Sequence, residues 1–301
     1  MTGSKIAFIF PAFAHEYPEE SFRGSAHFHK RFYELLGEAS RLINPCLERF
    51  DPVNNTFLED EYKTQLVTYV YSSTVSDTLR SGGIHPHFAV GLSMGIYAAL
   101  YHANSISFET GLRLVSKAWL ESIRCLKSKQ YGMGGIIGLS EQDAEILIEK
   151  NHLQAEITNI SSDYSITLSG LFDHIVTLLE LARAEGALHT RLLKASVPYH
   201  TGILLQARES FRRIVSEMPL RAPSVPVISL VDQKILNTEE EVREELVRNL
   251  YTHLHWKKTQ EALLEQGVNV LVECGPGRNL AKNARFIKGD FSFRHFSEFV
   301  S

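Results

Sequence analysis

Ser93 sits in the run His87-Phe88-Ala89-Val90-Gly91-Leu92-Ser93-Met94-Gly95-Ile96-Tyr97-Ala98-Ala99-Leu100. This is an apolar lead, then Gly-x-Ser-x-Gly, then a small-residue helical pattern. That order describes a nucleophile elbow, in which a strand hands a serine to a tight turn and a helix starts at once beneath it. Gly91 and Gly95 lack Cβ atoms, so strand and helix can close around the turn. The serine oxygen then lies near a helix N-terminus, where backbone N–H groups and the macrodipole favour negative charge. Serine attacks an acyl carbon only with a base in hydrogen-bond reach. Of the 13 histidines, His200 stands out by context: Val197-Pro198 sets an extended approach and Thr201-Gly202 can open a helix. His85, His87 and His102 lie nearer in sequence and stay as alternatives, because sequence distance means little for a triad. The tetrahedral oxygen of such a reaction needs two main-chain donors, and the N–H of Met94, just after the nucleophile, is one.

A strand that delivers Ser93 implies a sheet to receive it. Lys5 to Phe10 reads as a buried first strand, ended by Pro11-Ala12-Phe13-Ala14. A signal peptide cleaved after Ala-x-Ala is the competing reading, but the apolar region is too short and Pro11 breaks it. Helical spacing follows from about Ala26 to Phe50 and again from about Thr64 to Ser81, where Gly82-Gly83 stops it. After the elbow a helix runs from Ser107, a good N-cap, to about Leu126. The organisation changes near Lys127. Met133–Leu139, the helix opened by Ser140, Glu156–Ser161, Ser165–Ser169, the helix Phe172–Glu185 and His189–Leu193 form the order strand, helix, strand, strand, helix, strand. That order is ferredoxin-like. Beyond it come a helix (about Gly202–Met218), a strand (Val225–Leu230), helices over Thr238–Leu250 and Trp256–Gln266, the strand Val268–Glu273, and a short helix after Cys274-Gly275-Pro276-Gly277. Alternating strands and helices predict a mostly parallel sheet covered on both faces. The expected fold is α/β: an α/β-hydrolase-like core from residues 1–127 and 197–301, with an inserted ferredoxin-like subdomain at 128–196.

Composition narrows the class. Hydrophobic residues make up 44% and charged residues 22% of 301, as in a globular protein that can build a large core. A formal net charge of −4 gives no reason to expect nucleic acid as a partner. No apolar run is long enough to cross a bilayer. Cys46, Cys125 and Cys274 are far apart and read as reduced thiols, which suits a cytoplasmic setting and excludes a zinc or disulfide framework.

Phe10-Pro11, Gly91-Leu92-Ser93-Met94-Gly95, Val197-Pro198-Tyr199-His200 and Glu273-Cys274-Gly275-Pro276-Gly277 occur in the order and spacing of one family. The chain resembles the malonyl-CoA:acyl carrier protein transacylases and the acyltransferase domains of polyketide synthases, over nearly its whole length. The resemblance implies ping-pong acyl transfer in fatty acid or polyketide synthesis. Its substrates would be acyl-CoA and the phosphopantetheine arm of an acyl carrier protein, with no cofactor or metal. It implies that Ser93 is the nucleophile and His200 the base. A main-chain carbonyl in Arg248-Asn249-Leu250-Tyr251, that of Asn249, would orient the imidazole. The second oxyanion donor would be the N–H of Phe13, although Ala12-Phe13-Ala14 replaces the family's Gly-Gln-Gly. A hydrolase of the same fold, clearing acyl groups from carrier proteins, is one alternative. A catalytically silent carrier-binding subunit is another, and intact Ser93 and His200 argue against it.

Departures from the family bear on the substrate. Relatives that use malonyl units carry an arginine for the free carboxylate; aligning Arg113-Leu114-Val115 puts that position at Ala118. Leu92 replaces the usual histidine before the nucleophile. Tyr199 stands where small residues or phenylalanine occur. Asn159 keeps the first member of an Asn-x-Asn pair, and Ser161 replaces the second. These pocket residues predict an uncharged acyl group, because an unpaired buried carboxylate is costly. Arg278, Lys282, Arg285 and Lys288 could meet an acidic carrier or CoA phosphates, though such a run more often forms a solvated face.

Overall fold

The computed structural model describes residues 4–14, 17, 26–43, 45–52, 59–126, 129–278, 280 and 291–299. The strand that receives the elbow is β1 (Lys5–Phe10), and it lies parallel to β2 (Phe88–Gly91). Side chains alternate across β1: Phe8 and Phe10 enter the larger core, Ala7 and Ile9 a second core on the other face. The sheet continues on one side through β9 (Val268–Glu273) to β10 (Ser292–His295), both parallel. On the other side β7 (Val227–Ile228) pairs parallel with β2, and β8 (Ile235–Leu236) returns antiparallel at the edge. The order is β10-β9-β1-β2-β7-β8, a mostly parallel sheet with cores on both faces.

Helices fill the larger core. They are α1 (Ala26–Leu42), α2 (Glu61–Ser81), α3 (Gly95–His102) and α4 (Phe108–Cys125). Ser107 caps α4 by accepting from the Thr110 N–H, as its side chain predicts. Asp60 caps α2 one turn earlier than the apolar spacing suggests, accepting from the Lys63 N–H. Every residue of α2 from Thr64 to Ser76 is buried, so this helix runs through the interior and shows no amphipathic face.

A second sheet contains β3 (Tyr131–Ile137), β4 (Ala155–Ser162), β5 (Ser165–Leu171) and β6 (His189–Leu193), in the order β4-β5-β3-β6 and antiparallel throughout. With α5 (Glu141–Lys150) and α6 (Phe172–Ala184) it encloses a third core around Ile136, Ile166, Leu147 and Ile175. The order and helix placement are those of a ferredoxin-like unit.

After β6 the chain returns to the first sheet. The predicted single helix at Gly202–Met218 is a 3-10 turn, Gly202–Ala207, followed by α7 (Arg208–Glu217). α8 (Glu239–Arg248) carries a full capping box from Thr238 and Glu241. α9 (Trp256–Glu265) follows. The predicted strand Val225–Leu230 shrinks to β7, because the chain turns back at Gln233 to form β8. The expected helix after Gly277 lies mainly outside the described residues, while β10 was not expected. Among the described residues no helix is long and apolar enough to cross a membrane.

Candidate active site

The elbow forms because two glycines let three backbone segments meet. β2 ends at Gly91, and Leu92 extends the ladder by donating its N–H to Phe10 O at 2.9 Å. Ser93 takes φ 53°, in the left-handed region, a strained conformation for a residue with a Cβ. A Cβ at Gly91 would overlap the backbone of Gly95 and Ile96, and one at Gly95 would overlap the carbonyl of Phe10. The loop after β1 is set by the same packing: Pro11 lies against Gly275, and the Cys274 N–H donates to Ile9 O at 2.8 Å.

His200 arrives from the second sheet along Ala195–Tyr199, nearly all buried. Its own N–H donates to Leu250 O at 3.0 Å, and its φ is 64°. Ser93 Oγ and His200 Nε2 are 2.6 Å apart. Both residues are buried, at 9% and 4% exposure. Burial pushes the His200 imidazole down to about 4, against the main-chain groups of Asn249 and Thr252, which raise it. Nδ1 makes no well-formed hydrogen bond to either carbonyl. The imidazole is therefore neutral at neutral pH, and its Nε2 accepts from Ser93 when the proton sits on Nδ1. None of the other candidate histidines meets Ser93. His102 is buried against Phe8 and Phe10 with Ser76 Oγ at 2.8 Å from its Nδ1. His87 Nδ1 accepts the Ile6 N–H at 3.1 Å, and His85 is exposed.

The N–H of Met94 donates to no group among the described residues. Phe13 lines the same cleft as Ser93. Neither Ala12 nor Ala14 takes a positive φ, so alanine meets no steric bar in place of glycine there. The Ala14 N–H donates to Thr68 Oγ1 at 3.1 Å, holding the loop against α2.

Ser93 and His200 open into a cleft of about 430 Å³ between the two sheets. Leu92, Asn159, Ser161 and Tyr199 line it with Phe13, as do Met133, Ile137 and Thr167 from the second sheet. The amide of Asn159 is already engaged: its Oδ1 accepts the Trp256 N–H at 3.2 Å and its Nδ2 donates to Ser161 Oγ at 2.9 Å. The two residues thus tie β4 to the start of α9.

Ala118 requires a correction. It is 0% exposed within the larger core and does not line the cleft. Tyr199 does line the cleft, and its hydroxyl accepts from Gln65 Nε2 at 3.1 Å. Arg113 pairs with Glu109 at 2.7 Å and Arg124 with Glu121, so neither arginine of α4 turns toward Ser93. Among the described residues, the Lys and Arg side chains lining the cleft are Arg191 and Lys194, both exposed. Arg278 is exposed and faces Glu298 at 3.8 Å, while Lys282, Arg285 and Lys288 lie outside the described residues.

Sequence reasoning missed Gln65, Glu61 and the side chain of Asn249. Glu61 accepts from the Ser196 N–H and Oγ at 2.7 and 2.8 Å and so moors the stretch that carries His200. Asn249 Nδ2 donates to the carbonyl of Ser93 at 3.2 Å. The available signal was Gln65 itself, a glutamine inside an otherwise buried helix, which needs a buried partner. No cluster that could hold a metal occurs among the described residues.

Comparison with known proteins places these features in a family. A model of the acyl transferase domain matches residues 53–285. The malonyl CoA-acyl carrier protein transacylase of Bacillus subtilis is 26% identical over 92% of this chain and 89% of its own. The polyketide biosynthesis malonyl CoA-acyl carrier protein transacylase of the same organism is 28% identical over 95% and 98%. Among solved structures, a malonyl-transacylase in complex with its type II polyketide acyl carrier protein superposes with TM-score 0.87, at 25% identity over 97% of this chain and 96% of that one. The malonyl CoA-acyl carrier protein transacylase of Coxiella burnetii gives TM-score 0.86 at 24% identity over 98% and 95%, a likeness of fold.

Proposed function

The chain belongs to the acyl transferase domain family, and we propose that it moves an uncharged acyl group from coenzyme A to the phosphopantetheine thiol of an acyl carrier protein through an acyl-serine. The observation that carries this reading is the 2.6 Å approach of Ser93 Oγ to the buried Nε2 of His200, both residues lining one cleft. Ser93 Oγ attacks the thioester carbon and passes its proton to Nε2. The oxygen of the tetrahedral adduct lies against the N–H of Met94 at the start of α3 and that of Phe13 in the loop after β1. Collapse expels the CoA thiolate, which takes the proton back from His200. In the second half the carrier thiol gives its proton to His200 and attacks the acyl carbon, and Ser93 Oγ leaves as it takes that proton back from Nε2. Arg191 and Lys194, exposed beside the cleft, supply positive charge for the phosphates of either carrier.

The preference for an uncharged group is supported by what the inner wall offers. Tyr199 and Leu92 stand beside the dyad, and the lining cations Arg191 and Lys194 are exposed. A malonyl carboxylate there would lose water without gaining a charged partner. Intact-mass analysis with a panel of acyl-CoAs, with and without a carrier protein, tests both statements. An adduct on Ser93 that a carrier protein discharges supports transfer, and no adduct from any acyl-CoA overturns it.

A further inference from the structure

Ser93 and Met94 share one peptide group, whose carbonyl edge is held twice and whose N–H edge is unpartnered among the described residues. Its carbonyl oxygen accepts from Asn249 Nδ2 at 3.2 Å and from the Ile96 N–H at 3.1 Å. The peptide is trans, so its N–H points away from its C=O within one rigid plane. That N–H is the Met94 donor. Asn249 is 4% exposed and does not line the cleft, so it holds the peptide from behind. The orientation of its amide follows from its partner: a carbonyl oxygen only accepts, so nitrogen faces it. Its Oδ1 is left without a partner in the interior. An amide buried under that penalty is accounted for by the work of its nitrogen.

We infer that the side-chain amide of Asn249 is a positioning residue for the oxyanion: it pins the Ser93–Met94 peptide so that the Met94 N–H is aimed at the reacting carbonyl oxygen. The inference rests on the reading of Ser93 as nucleophile. Ser93 has a left-handed φ of 53°, so its following peptide needs an external hold against relaxation toward commoner angles. A hydrogen bond to the carbonyl also polarises the group and strengthens its N–H as a donor. The main chain of the same residue lies beside His200. Any substitution at 249 keeps the main-chain carbonyl, so the side chain can be tested alone.

The test is the rate of acyl-Ser93 formation, followed by rapid quench and intact mass across acyl-CoA concentrations. Asn249→Leu keeps similar volume and removes the donor. Its saturating rate should fall by at least about fivefold, the scale of one lost hydrogen bond. The half-saturating concentration should stay within about twofold. Asn249→Asp, nearly isosteric, carries the test even if the leucine variant does not fold. A carboxyl group donates to Ser93 O only when protonated, so the variant's rate relative to wild type should rise as pH falls from about 8 to about 5.5. Taking that ratio at each pH sets aside the titration of His200 and of Glu245, one turn earlier on α8. Unchanged saturating rates, a loss confined to the half-saturating concentration, or a ratio flat with pH overturns the inference alone. Absence of any adduct on wild-type Ser93 overturns the underlying function and this inference with it.

Discussion

Ser93 and His200 meet at 2.6 Å although both hold left-handed backbone angles, 53° and 64°. Each is strained for the same end. The turn at Ser93 lifts its side chain off the sheet, and the turn at His200 swings the imidazole in from the second sheet. Such angles persist only where the surroundings over-determine them. Here the surroundings are Gly91, Gly95, the Leu250 carbonyl and the Glu61–Ser196 mooring.

Replacing Ser93 by alanine should leave the fold intact and abolish the covalent adduct. Intact mass after incubation with acyl-CoA reads this directly. An acyl-enzyme that still accumulates in Ser93→Ala would place the nucleophile elsewhere.

His200→Ala should lower turnover by at least about 10²-fold, the lower range for lost acid–base catalysis. Burial holds the imidazole down to about 4, so the base stays unprotonated well below neutrality. The acylation rate should therefore hold level from pH 8 to near pH 5 and fall below that. A fall centred near pH 6.5, the ordinary histidine value, would show that the base is not buried as described.

Gly95→Ala tests the elbow itself. The new Cβ would overlap the carbonyl of Phe10, which belongs to a central strand and cannot yield. Thermal unfolding should shift down by several degrees or the protein should fail to fold, and any folded fraction should lose acylation. Gly37→Ala on α1, whose Cβ would meet only the far end of the Arg41 side chain at 3.6 Å, serves as the comparison.

Acyl selectivity should favour monoacyl chains. A partial penalty of about 3 kcal/mol for an unpaired buried carboxylate would disfavour malonyl by more than about 100-fold. Equal malonyl-CoA and monoacyl-CoA should therefore load Ser93 mainly with the monoacyl group. Predominant malonylation would show the reading wrong. Ala118→Arg should destabilise the core, because position 118 is fully buried there and lines no part of the cleft.

Stability should depend on pH through two buried groups of opposite sign. Burial lowers His102 to about 3, so between there and its ordinary value the unfolded chain binds more protons and acid destabilises. Burial raises Glu245 to about 7, so across the range from its ordinary value to 7 the folded chain binds more protons and base destabilises. Urea titrations at pH 5 and pH 7 read the balance. Relative to wild type, His102→Gln should raise stability at pH 5 against pH 7, and Glu245→Gln should do the reverse. Parallel shifts in both variants would contradict these assignments.

The chain order alone carried most of the architecture and the identity of the dyad. Gly-x-Ser-x-Gly after an apolar strand is a local steric statement: the glycines at 91 and 95 admit one sharp turn, and the turn names its serine. The strand and helix periods are local in the same way, so the parallel sheet and the strand order of the second sheet could be read ahead. Ser107 and Ser140 mark helix starts because a cap bonds only its own first turn, while the Asp60 cap, one turn before the apolar spacing begins, went unread. The errors fell where distant groups decide. β8 and β10 are short strands whose existence depends on a neighbour to pair with. Position 118 is a pocket position by alignment, yet the packed interior encloses it completely and leaves it out of the cleft wall. Asn249 was read through its carbonyl, while the contact its side chain makes with Ser93 spans 156 positions. No local pattern encodes such a contact: a buried amide finds whichever acceptor the packed interior brings to it, and only the tertiary structure decides which one that is.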